Sequence, residues 1–120
     1  MSAEIQPRTE VLGDCAEYLR QAGLRILDRD WKNELGRLDL VAVDRHTLVV
    51  CVVRIRGRRR LGPTSRPLSI VARRRLRWLA GCWLKSHGMR FDRIRVDVID
   101  LHQNGPGGYT IEHLQGVDRQ

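Results

Sequence analysis

The stretch GRLDLVAVDRHTLVVCVVRIR, residues 36–56, decides the fold. Residues 38–43 and 47–53 are two runs rich in β-branched side chains, separated only by Asp44, Arg45 and His46. So short a connection joins antiparallel strands, because a parallel pair needs a crossover of about a dozen residues or more. The second run is apolar without interruption, which marks a central strand covered on both faces.

Working outward, Leu12, Cys15, Ala16, Leu19 and Ala22 recur at the spacing of one helix face. Thr9 is a candidate N-cap for this helix and Gly23 its stop. Leu24 and Ile26 then open a strand. On the other side, residues 56–67 (RGRRRLGPTSRP) hold Gly57, Gly62, Pro63 and Pro67 and read as a cationic loop. A second helix is expected over about 68–87, with Ala72, Leu76, Leu79, Ala80 and Trp83 on one face. Arg73, Arg74, Arg75, Arg77 and Trp78 lie off that face, and Gly88 ends the helix. Residues 93–101 set Ile94, Val96 and Val98 against Arg95, Asp97 and Asp100, a strand pattern, and residues 109–114 form a last short strand. A helix crossing from the central strand to 93–101 makes those two strands parallel. The expected fold class is α/β, a central mixed sheet flanked by helices.

The length of 120 residues suits one domain. Residues 1–9 read as a flexible N-terminus and 118–120 as a flexible C-terminus. No apolar run approaches the ~20 residues of a membrane helix, and the N-terminus lacks an apolar signal core. A cytoplasmic protein without a membrane partner is expected. Cys15, Cys51 and Cys82 form no CxxC pair, and His46, His87, His102 and His113 show no zinc spacing, so reduced thiols and no metal cluster are expected.

Charge is the unusual quantity: 22 Lys and Arg against 14 Asp and Glu, net +8. All but Lys32 and Lys85 are arginine, whose planar fork suits phosphate. No acidic residue lies between Asp44 and Asp92, where thirteen cations fall. Such asymmetry is the footprint of polyanion binding.

The runs Arg29-Asp30-Trp31-Lys32, Gly36-Arg37-Leu38-Asp39-Leu40 and Leu48 through Arg56 resemble the YraN-like family of uncharacterised bacterial proteins, uncharacterised protein family 0102. The resemblance covers roughly residues 10–117 and implies a single nuclease-like domain with a restriction-endonuclease-like, three-layer core. In that fold carboxylates hold a divalent metal and a lysine helps activate the attacking water. The signature is an Asp followed, one strand later, by Glu-x-Lys, whose i and i+2 spacing aims both side chains at one face. Mg²⁺ suits such a site, since it takes carboxylate oxygens and keeps waters.

Carried over residue by residue, the metal-binding Asp matches Asp39. The Glu matches Val52, the Lys matches Arg54, and the acid beside the Asp is Arg37. Val52 has no ligand atom, and Arg37 and Arg54 bring positive charge. The expectation is a catalytically inactive relative that binds nucleic acid, DNA or RNA, through phosphate contacts, with no cofactor. The candidate contact residues are Arg37, Arg54, Arg56, Arg58, Arg59, Arg60, Arg66, Arg73, Arg74 and Arg77, with Trp78 as a stacking candidate or a partly buried helix aromatic. Two alternatives stand beside it. One is a residual Mg²⁺-dependent endonuclease with Asp39 and Glu34 as metal ligands. The other is a non-catalytic module that docks a protein partner.

Overall fold

The computed structural model describes residues 7–58, 68–106 and 108–118. The elements run α1 (Arg8–Gln21), β1 (Arg25–Asn33), β2 (Gly36–Asp44), β3 (Thr47–Arg58), α2 (Ile70–His87), β4 (Arg93–Gln103) and β5 (Tyr109–Leu114). The five strands form one sheet in the order β1-β2-β3-β4-β5. The β3–β4 pair is parallel and the others are antiparallel. The sheet is therefore mixed, and the uninterrupted apolar run of β3 lies at its centre.

Alternation along β3 divides the core. Val49 and Cys51 pack with Leu12, Cys15, Ala16 and Leu19 of α1. Leu48 and Val50 pack with Leu79, Ala80 and Trp83 of α2. A period of two sends successive side chains to opposite faces, so the helices cover the two sides of one sheet. This is a three-layer α/β arrangement, consistent with a restriction-endonuclease-like core.

Local chemistry accounts for the boundaries of α2. The Ser69 side chain accepts the N–H of Ala72 at 3.0 Å, satisfying one of the orphan donors of the first turn. Gly88 ends the helix with φ 62°, in the left-handed region where glycine has no steric penalty. The β1–β2 hairpin closes against this helix: a Cβ on Gly36 would lie 3.0 Å from Leu79 Cδ1.

Four sequence expectations shift. Helix α1 starts at Arg8 rather than after a Thr9 cap, and its preceding residue, Pro7, makes no side-chain cap. Arg8 and Thr9, expected in the flexible N-terminus, belong to the first turn because Arg8 is held by carboxylates of the sheet. Strand β3 runs on to Arg58, since its ladder with β4 continues to Arg58 opposite Gln103. Asp118, expected in the flexible C-terminus, accepts the Val96 N–H at 3.0 Å.

Candidate functional site

The β2–β3 ladder runs from Asp44 opposite Thr47 to Leu40 opposite Cys51 and stops there. One residue further on, Asp39 replaces a ladder bond: its Oδ2 accepts the Val53 N–H at 2.8 Å. Oδ1 accepts from Arg8 Nη2, and Arg8 Nε reaches Asp30 Oδ1 at 3.3 Å. Asp30 and Asp39 are opposite each other, between the pairs Arg29–Leu40 and Trp31–Leu38. Asp30 has φ 52°, and across from it Leu38 joins the α2 cluster while Leu40 joins the α1 cluster. The usual alternation thus breaks at the Asp30–Asp39 level. Burial draws the Arg8 pKa down, and the charge and hydrogen bonds of Asp39 and Asp30 more than restore it, leaving it raised.

Val52, Arg54 and Arg56 follow Val50 at intervals of two and so share the α2 face of β3. The parallel register sets Arg54 beside Asp100 of β4. The Arg54 fork engages both carboxylate oxygens, Nε to Oδ1 at 2.7 Å and Nη2 to Oδ2 at 2.9 Å. Arg56 Nε lies 3.6 Å from the same Oδ1, an ion pair without a hydrogen bond. Asp100 is buried and sits opposite Glu112 of β5. Glu112 Oε1 meets His102 Nε2 at 2.9 Å.

The divalent metal expected of the fold does not fit these residues. Of the aligned positions only Asp39 offers oxygens, and Arg8 and the Val53 N–H already hold them. Asp100, His102 and Glu112 bring ligand atoms within 4.8 Å of one another. Arg54, however, covers both Asp100 oxygens, and Arg56 adds a second positive charge. A guanidinium occupies the place a cation would need. Glu34, the other candidate ligand, is exposed in the turn between β1 and β2.

The remaining cationic candidates separate by environment. Arg37 is exposed on β2. Arg73 Nη1 donates to the Val117 carbonyl at 3.2 Å, and Arg77 Nη1 to Asp118 Oδ2 at 2.5 Å. Arg74 and Arg75 are exposed, and Arg75 makes one long bond, 3.4 Å, to the Leu35 carbonyl. Trp78 is 51% exposed, whereas Trp83 is buried and donates its indole N–H to Asp28 at 2.8 Å. Arg59, Arg60 and Arg66, and the side chain of Arg58, lie outside the described residues.

A second ionic centre lies on the α1 face, around Asp97. Asp97 is fully buried. Its Oδ1 accepts Arg95 Nε and the Gly116 N–H, both at 2.9 Å. Its Oδ2 accepts Arg95 Nη2 at 3.1 Å and His113 Nε2 at 2.8 Å. The charged carboxylate requires a proton on Nε2 of the imidazole, and Nδ1 lies 3.4 Å from the Tyr18 hydroxyl. Burial pushes the Asp97 carboxyl up, but the bonds from His113, Arg95 and Gly116 together outweigh it and hold it below the ordinary value of 3.8. Burial also lifts the thiols of Cys15, to about 12, and Cys51. Neither is a nucleophile at neutral pH. Sequence reasoning identifies Asp97 and Asp100 only as polar strand positions. Their partners are joined to them by register, which the sequence does not display.

A three-layer α/β domain with arginine–carboxylate pairs buried on both faces of its sheet is the class that fold and site define. The profile of uncharacterised protein family UPF0102 matches residues 14–101, and the chain belongs to that family. A UPF0102 protein of Arthrobacter sp. (strain FB24) is 36% identical over 102 residues, covering 85% of this chain and 86% of the relative. One from Mycobacterium avium (strain 104) is 38% identical over 103 residues, covering 84% and 80%. One from Frankia casuarinae is 36% identical over 104 residues, covering 85% and 86%. Arg8, Glu112, His113 and Asp118, which close the ionic networks, all lie outside the segment matched by the family profile.

Proposed function

We propose that this protein binds nucleic acid through its cationic surface and does not cleave it. The observation that carries this reading is the segregation of charge. Asp39, Asp97, Asp100 and Asp118 have little or no side-chain exposure, and each is paired with an arginine. Arg37, Arg74 and Arg75 face outward, and α2 contains no acidic residue. What a polymer meets at this helix is therefore a positive field, which attracts phosphates irrespective of sequence. The absence of cleavage follows from Val52, which has no oxygen to offer a metal, and from the arginine partners of Asp39 and Asp100.

Electrophoretic shifts over a salt series, run beside a nuclease assay with Mg²⁺ and Mn²⁺, test both halves. The expected result is salt-sensitive binding to DNA or RNA with no cleavage. Cleavage that disappears in Asp39→Ala would establish the residual endonuclease instead. No detectable binding at low salt would leave the protein-docking module.

A further inference from the structure

We infer that the nucleic acid bound is single-stranded and lies along the outer face of α2, with an unpaired base stacked on Trp78. This inference rests on the nucleic-acid reading above and narrows it to one polymer form and one surface.

Val71, Arg74, Arg75, Trp78 and Lys85 are all exposed and recur at intervals of three, four and seven, so they share one stripe. From position 71 to 85 the stripe is about 21 Å long, at ~1.5 Å per residue. The helix carries no acidic residue. Arg74 and Lys85 make no ion pair among the described residues, so their charges are available to phosphates.

Trp78 differs from the other two tryptophans. Trp83 is core, and Trp31 packs against the same α2-side cluster. Trp78 has half its surface in solvent and, among the described residues, takes no part in the aromatic contacts that join Tyr18 to His113 and Trp83 to His87. One turn on, Gly81 is exposed, and a Cβ there would meet nothing within 4 Å. An exposed indole beside cations fits a partner with an apolar face and a complementary charge. A single strand offers both, phosphate oxygens for the cations and a free π-face for the indole. A duplex keeps its π-faces stacked inside and leaves Trp78 without a partner.

Fluorescence anisotropy with labelled oligothymidylate, oligouridylate and a duplex of equal length tests this on the full chain. The wild type is expected to prefer the single strands. Trp78→Ala should weaken single-strand binding by about five- to 150-fold, the loss of one stacked base, and leave duplex binding unchanged. Trp78→Phe should restore most of it. Circular dichroism confirms the fold of each variant, and the half-exposed position makes unfolding unexpected. Binding that persists with equal losses for duplex and single strand, or with none, overturns the inference and leaves the broader reading standing. Absence of binding to all three probes removes the broader reading itself. Displacement by polyglutamate as effective as by a single strand of equal charge, and equally sensitive to Trp78→Ala, would assign the stripe to an acidic protein.

Discussion

Asp97 keeps its charge in a site without solvent because donors converge on both its oxygens, two from Arg95, one from His113 and one from the Gly116 backbone. Removing His113 takes one bond from a buried carboxylate and orphans the Tyr18 hydroxyl. His113→Ala should therefore cost about 1.5–3 kcal/mol at neutral pH, the range for a hydrogen bond to a charged group, measured by urea unfolding. The folded carboxyl titrates below its ordinary value of 3.8. Its stabilisation is thus complete above the unfolded value and is lost as pH falls through the lower folded one. The stability gap between wild type and His113→Ala should narrow in acid as Asp97 protonates. A gap of constant size down to the acid transition would mean that His113 contributes packing alone.

At the scale of elements, the informative place is the point where β2 leaves β3, closed by the first residue of α1. Asp30 and Asp39 would repel each other across the β1–β2 pair without Arg8. Arg8→Ala should destabilise the fold by about 1–3 kcal/mol. It should not create a nuclease-type Mn²⁺ or Mg²⁺ site by titration calorimetry, because Val52 offers no oxygen from β3 and the Val53 N–H still holds one Asp39 oxygen, leaving only Asp30 and the other Asp39 oxygen as ligands. Cation binding gained in Arg8→Ala would show that the clamp alone closes the site, and would revive the nuclease alternative. The elements themselves were legible: the continuous apolar run of β3, the helical faces of α1 and α2, and Gly88 as a stop are local patterns with a physical period. The clamp was not. Arg8 precedes the first apolar repeat, and its partners lie 22 and 31 residues away. Likewise, Val52 declared a missing ligand, but Arg54 read as an available cation until the β3–β4 register set Asp100 beside it.

Over the whole molecule, the formal charge of +8 overstates some arginines and understates others. Arg54 is counted in it, yet its charge is matched by a buried carboxylate at hydrogen-bond distance. Arg74 and Arg75 lie outward on a helix without acids. Salt dependence separates these classes, because only cations that displace counterions from the polymer enter the slope. Replacing both Arg74 and Arg75 with Gln should flatten the slope of log Kobs against log salt for a single strand by about 1.4, twice the ~0.7 for one phosphate contact. Arg54→Gln should leave that slope unchanged while lowering unfolding stability by about 3–5 kcal/mol, since Asp100 loses its bidentate partner. The two readouts move in opposite pairs, so neither variant serves as a weak version of the other. A slope change in Arg54→Gln as large as that of a single helix arginine would mean that Arg54 leaves Asp100 for a phosphate on binding, and would return the site from the helix to the sheet.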